Sequence, residues 1–180
     1  MPQNTAALWV FGYGSLIWNP GFTHVERVIA ELPGYARSFC MRSVHHRGTA
    51  DSPGLVLALD PHPGARCSGI AFGVAEDDAD ETLATLRERE LISSAYLEKT
   101  LPLDLSDGRR VHAVTYVVDP QHVQYCGGLP LEEQARIIAS AVGGRGPNRD
   151  YLFNTAAHLR ELGLGDADLD WLAMRVAELD

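Results

Sequence analysis

The chain has little cysteine, and none of it is spaced for metal or redox chemistry. Cys40, Cys67 and Cys126 are the only three in 180 residues. They are scattered, odd in number and form no C-x-x-C pair, which speaks against a disulfide framework and against a zinc site. Reduced thiols in a cytoplasmic protein fit this pattern. Long apolar runs are also missing: none approaches the roughly 20 residues of a spanning helix, so no membrane role is expected. The opening Met1-Pro2-Gln3-Asn4-Thr5 lacks the basic start and apolar stretch of a secretory signal. Positive charge is short as well. Fifteen Lys and Arg stand against 24 Asp and Glu, a formal net charge of -9, which argues against a nucleic-acid partner.

What is present suits one compact domain over residues 1–180, with 46% hydrophobic residues to build a core. Near the start, Val10-Phe11-Gly12-Tyr13-Gly14-Ser15-Leu16-Ile17-Trp18 runs as an apolar strand, breaks into a polar turn and resumes as apolar residues. Two glycines around a Tyr allow a sharp turn and a close approach to a ligand. The amides that follow can converge on an anion. The same pattern also suits a bulge or hairpin corner, and the turn alone does not choose between them. It is neither a dinucleotide fingerprint, having no third Gly and no helix behind it, nor a Walker loop, having no Lys.

Periodicity gives the organisation. Residues 9–14 read as a strand. Residues 25–32 read as another, broken by Pro33-Gly34, and residues 35–42 as a third. Residues 54–59, ended by Asp60-Pro61, and residues 67–74 follow as short strands. The period then changes to helical over residues 78–90, with Ala79, Leu83, Leu86 and Glu90 on one stripe and Asp77 or Asp78 as N-cap. Residues 96–105 and 111–118 read as strands about the turn Ser106-Asp107-Gly108. Helices close the chain over 131–141, 149–162 and 168–179, with Gly143-Gly144 and Gly163 as stops. The class is α+β, a largely antiparallel sheet or small barrel flanked by helices.

Glu90 is the most suggestive ionisable residue. Glu88 and Glu90 lie about 200° apart around a helix, so only Glu90 shares the apolar stripe. A carboxylate there is costly unless paired or protonated, and a raised pKa suits a general base. A solvated pair with Arg87 is the other reading, and the pattern leaves both open. Arg37, Arg42 and Arg47 fit a solvated sheet face, although the loop His45-His46-Arg47-Gly48-Thr49 is placed to touch an anionic substrate. Its histidines have no third ligand at metal spacing, and Ser15 has no nucleophile elbow around it.

Taken together, these segments resemble the ChaC family of glutathione-specific γ-glutamylcyclotransferases. The resemblance runs in order through Phe11–Trp18, Gly34–Phe39, Arg47-Gly48-Thr49, Pro53-Gly54, Arg89-Glu90 with Tyr96, and Asn148 with Tyr151-Leu152. Ser94 and Ala95 depart from the Gly, and the Gly or Cys, usual in the family. The resemblance implies a γ-glutamylcyclotransferase-like fold, a small mixed β-barrel with helices. It implies a cofactor-free lyase reaction on a small molecule, glutathione, giving 5-oxoproline and cysteinylglycine.

Carried onto this chain, it implies Glu90 as general acid/base and Val10, Phe11, Gly12, Tyr13, Gly14, Ser15 and Leu16 as the γ-glutamyl-binding turn. Tyr96 and Tyr151 fall in matched segments and join the substrate-binding set. Arg47 is the candidate for the glycine carboxylate of glutathione. Two alternatives remain: a cyclotransferase for other γ-glutamyl amides or amines, and a non-catalytic binding module on the same fold.

Overall fold

The computed structural model describes residues 5–91 and 95–179. Its elements are β1 (Ala6–Gly12), β2 (Glu26–Ser43), β3 (Gly54–Ala75), α1 (Glu76–Glu90), β4 (Tyr96–Leu105), β5 (Arg110–Val118), α2 (Leu131–Ser140), β6 (Val142–Gly143), β7 (Gly146–Pro147), α3 (Asn148–Glu161) and α4 (Ala167–Leu179). This is the α+β class expected. The chain packs as two compact units, one of Met1–Arg37 with Leu59–His122 and one of Ser38–Ala58 with Val123–Asp180.

The first unit holds a closed barrel in the order β1-β3-β2-β4-β5. β1 runs antiparallel to β3 from Ala6↔Ala75 to Gly12↔Ile70, and meets β5 in parallel at Val10↔Val114. β4 and β5 form a hairpin from Tyr96↔Val118 to Asp104↔Arg110, and β2 joins β4 at Ala30↔Leu105. Closure leaves no bare sheet edge for another chain to join. Inside, Phe11, Leu32, Leu59, Ala71, Leu103 and Val117 pack together. Each large apolar side chain buried there contributes about 1.5–3 kcal/mol.

Two expected strand breaks are absent. Pro33-Gly34 lies within β2, and Asp60-Pro61 lies within β3. Gly34 (φ +85°) and Gly64 (φ +86°) take left-handed backbone, so each strand bends and continues where a side chain would have forced a stop. The N-cap also differs. Ala75 occupies it, and Glu76, Asp77 and Asp78 fill the first turn of α1. The acidic residues there act through the helix dipole and not through a capping bond.

In the second unit α2, α3 and α4 pack on one another, burying Ile138, Leu152, Leu159, Leu169, Leu172 and Val176. The helix stop expected at Gly143-Gly144 is a small hairpin instead, with Val142↔Pro147 and Gly143↔Gly146 paired. Among the described residues, no helix is long and apolar enough to cross a membrane.

Candidate functional site

The turn after β1 is held from two directions, both within the first unit. Val10 and Phe11 are buried, Phe11 in the barrel core, so their side chains fix the strand that leads into the turn. Gly12 has a neighbour on its side-chain face: a Cβ there would stand 3.1 Å from Leu16 Cβ and 3.3 Å from Phe72 Cε2. Gly14 is the opposite case, with no atom within 4 Å of the Cβ position. Residues Ser15–Ile17 then form a single 3-10 turn, closed by Ile17 N–H donating to the Gly14 carbonyl at 2.9 Å.

Two arginines clamp this segment. Arg37, only 7% exposed, donates from Nε to the Tyr13 carbonyl at 2.8 Å and from Nη2 to the Ser68 carbonyl. The solvated sheet face expected for Arg37 is therefore corrected. Two backbone carbonyls converge where its side chain points, and they satisfy the buried guanidinium. Arg89, at the end of α1, donates from Nη2 to Ser15 Oγ at 3.0 Å and from Nη1 to the Asn19 carbonyl at 2.9 Å.

Glu90 follows directly. Its side chain is 20% exposed, whereas Glu88 stands in solvent, as the helical period expected. Burial pushes the Glu90 carboxyl above its ordinary value, and the positive charge of Arg89 opposes that rise. Arg89 Nε lies 3.9 Å from Glu90 Oε1. Nearby, Tyr116 on β5 feels the charge of Glu90 and donates its hydroxyl to Glu98 on β4 at 2.8 Å. Arg87 binds the same carboxylate at 2.9 and 3.0 Å, so the Arg87 pairing weighed for Glu90 belongs to Glu98. That bond holds Glu98 below the usual carboxylate range. Two carboxylates are thus set apart, one ionised and tied up, the other buried and raised. A carboxyl raised by burial is suited to acid–base chemistry, and of the two that describes Glu90.

Tyr96 is half-buried at the first position of β4, paired with Val118. Ser94 lies outside the described residues; Ala95 is buried and its carbonyl accepts from Asp119 N–H at 2.9 Å. Arg47 and Tyr151 belong to the second unit. Arg47 Nη1 donates to the carbonyls of Arg145 (3.1 Å) and Pro147 (3.2 Å), and its guanidinium lies 5.7 Å from the centre of the Tyr151 ring. The Tyr151 hydroxyl accepts from Leu57 N–H at 3.2 Å. Asn148, fully buried, accepts from Leu55 N–H and donates to the Leu55 carbonyl, both at 2.8 Å. His45 and His46 are exposed, and burial with nearby Arg145 holds His46 below the ordinary imidazole value, so it is neutral at neutral pH. Among the described residues no three His, Cys, Asp or Glu side chains converge in ligand geometry.

A family model described as ChaC-like protein matches residues 8–179, which covers both units. The chain belongs to the ChaC-like family. It is 40% identical over 172 residues to the glutathione-specific gamma-glutamylcyclotransferase of Escherichia coli, an alignment that covers 96% of this chain and 74% of that protein. It is 37% identical to gamma-glutamylcyclotransferase 2-3 of Arabidopsis thaliana, over 96% of this chain and 90% of the relative. Among solved structures, the yeast gamma-glutamyl cyclotransferase specific to glutathione superposes with a TM-score of 0.84 at 23% identity, covering 96% of each chain. The γ-glutamylcyclotransferase-like fold expected from the sequence is therefore the fold observed.

Within this ChaC-like chain, sequence reasoning passed over two residues that shape the turn. Arg37 gave no sign of burial in an alternating strand. Arg89 was read only as part of a matched motif, yet its three guanidinium nitrogens face Ser15, Asn19 and Glu90. The available signal was its place beside the one carboxylate on the apolar stripe.

Proposed function

We propose that this ChaC-like protein is a γ-glutamylcyclotransferase that converts glutathione to 5-oxoproline and cysteinylglycine. The observation that carries the mechanism is Glu90: a half-buried carboxylate with a raised pKa, tied through Arg89 to a turn whose Gly14 side is open. The α-amine of the γ-glutamyl group attacks its own γ-carbonyl and closes a five-membered ring. Nucleophile and electrophile are on one molecule, so the protein's task is to select the bent conformer.

The amine attacks only when neutral. As the neutral amine attacks, Glu90, ionised, takes one proton from that nitrogen, leaving the ring N–H, and the same proton passes to the departing amide nitrogen, which cannot leave as an anion. General acid–base help of this kind is worth about 10²–10⁴ in rate. The segment from Val10 to Leu16 is proposed to bind the γ-glutamyl group through its backbone. The missing Cβ at Gly14 leaves room for the acyl chain to approach. Tyr96, near the start of β4, completes the proposed set in this unit.

The acidic net charge, -9, supports a small-molecule substrate and not a nucleic acid. None of the three cysteines is joined in a disulfide, which supports a reducing compartment, and we place the protein in the cytoplasm. The deciding assay is release of 5-oxoproline from glutathione, with γ-glutamyl-alanine as comparison. Turnover of glutathione by the wild type, and loss of about 10²-fold or more in Glu90→Gln, is the expected result. Preferred turnover of γ-glutamyl-alanine would move the substrate to other γ-glutamyl amides. Full activity in Glu90→Gln would remove Glu90 from the chemistry.

A further inference from the structure

We infer that Arg89 is a positioning residue that sets the turn after β1 and the Glu90 carboxylate in one geometry. The inference rests on the reading of Glu90 as acid/base. Its basis is the use made of one guanidinium. Nη2 reaches Ser15 Oγ at 3.0 Å, Nη1 reaches the Asn19 carbonyl at 2.9 Å, and Nε faces Glu90 Oε1 at 3.9 Å. The three contacts reach the first residue of the 3-10 turn, the residue just past its C-cap Trp18, and the last residue of α1.

A planar, rigid fork suits this work. Guanidinium can donate along two directions at once with little extra loss of side-chain freedom, whereas an ammonium is a single flexible point. A surface ion pair at this distance would add little stability by itself, because Arg89 is 31% exposed and Glu90 20% exposed. The value of the arrangement is therefore in geometry and in the local field. Arg37 holds the same turn from another side, joining the Tyr13 carbonyl to the Ser68 carbonyl on β3.

Among the described residues, the groups that set the field at Glu90 lie on α1, β4 and β5. Arg89 on α1 lowers its pKa against burial. From β5, Tyr116 faces it as a neutral phenol whose proton is committed to Glu98 on β4, and Glu98 is itself neutralised by Arg87. Removing the Arg89 charge thus takes away a group that opposes burial. The ionised fraction of Glu90 then falls at any pH near its midpoint.

The test uses Arg89→Lys and Arg89→Gln in the full chain, with pH profiles of kcat/KM for glutathione. Arg89→Lys keeps the charge but cannot bridge Ser15 and Asn19. It should lose about 10-fold in kcat/KM or more while the acidic limb stays in place. Arg89→Gln loses both roles, so its acidic limb should move to higher pH by about half a unit or more, with a larger fall in kcat/KM. Wild-type kcat/KM and an unmoved limb in both variants would overturn the inference. If Arg89→Gln does not fold, Arg89→Lys decides: a loss with the limb in place supports it, wild-type values overturn it. Glu90→Gln separates the two levels. A dead Glu90→Gln with normal Arg89 variants sinks only this inference, whereas an active Glu90→Gln sinks the reading beneath it.

Discussion

Tyr116 donates its phenolic hydroxyl to Glu98 across 2.8 Å, from a side chain that is 2% exposed to a carboxylate already held by Arg87. The bond joins β5 to β4 at one end of the barrel hairpin, where Glu98 pairs with Tyr116 in register. Burial, followed by that bond, pushes the Tyr116 phenol well above its ordinary value. Tyr116→Phe keeps the ring and removes the donor. It should cost about 1.5 kcal/mol in urea unfolding, the low end for a bond to a charged group, because Glu98 keeps Arg87. An unchanged midpoint would show the bond to be idle.

Glu90 ties the stability of the fold to pH. Its carboxyl is raised in the folded state, so it favours folding fully only below the ordinary value of 4.5, and that contribution is lost as pH rises through the folded value. At neutral pH the ionised, half-buried group is a burden on the fold. Glu90→Gln should therefore be stabilised relative to wild type at about pH 7.5 by more than at about pH 4. Urea midpoints at the two pH values measure this directly. The same difference at both would mean that Glu90 is not raised.

The two glycines of the turn should fail in different ways. A Cβ at Gly12 meets Leu16 and Phe72 at 3.1 and 3.3 Å, so Gly12→Ala should lose about 1–3 kcal/mol of stability through overpacking. Gly14 opens onto free space, so Gly14→Val should fold normally and raise KM for glutathione or lower kcat. Thermal melts beside steady-state kinetics separate the cases. Normal kinetics in a folded Gly14→Val would make the turn purely architectural.

Asn148 closes a pair of bonds with both backbone groups of Leu55, at 2.8 Å each, with no exposed surface of its own. Asn148→Ala strands a buried N–H and a buried carbonyl together. The expected loss is about 2–4 kcal/mol, read by chemical denaturation. A loss below about 0.5 kcal/mol would mean that water replaces the amide.

Arg47 carries a prediction in which structure has shifted the weight. One nitrogen, Nη1, serves the carbonyls of Arg145, just before β7, and Pro147, its last residue. Arg47→Ala should lower stability by about 1–2 kcal/mol and reduce kcat/KM alike for glutathione and γ-glutamyl-cysteine. A selective loss on glutathione would instead place the guanidinium at the glycine carboxylate.

The hairpin of β4 and β5 and the three closing helices were legible in the sequence to within a residue or so, because their periods are clean and a Gly or a turn marks each end. The long strands were not. Pro33-Gly34 and Asp60-Pro61 read locally as terminators, and only pairing with neighbouring strands carries the chain on, with Gly34 and Gly64 in left-handed backbone. Glu90 stood out because a carboxylate on an apolar stripe breaks the pattern around it. Arg37 and Arg89 did not, since an arginine among polar residues looks the same whether its partner is water or a carbonyl. Their partners, Tyr13 and Ser15, lie far off in the chain and are brought close only by barrel closure.

That closure also sets an order of assembly. β1 is made first, yet its neighbours are β3 and β5, and its partner Val114 lies roughly a hundred residues downstream of Val10. A ribosome that has released α1 has already delivered Glu90 and Arg89, but the first strand still has an empty flank. By then β1 can already pair with β3, and Arg37 and Arg89 are there to reach the turn; what β5 adds is the last flank. Closure therefore waits for the last barrel strand to be made, and the first strand gains its second neighbour only then.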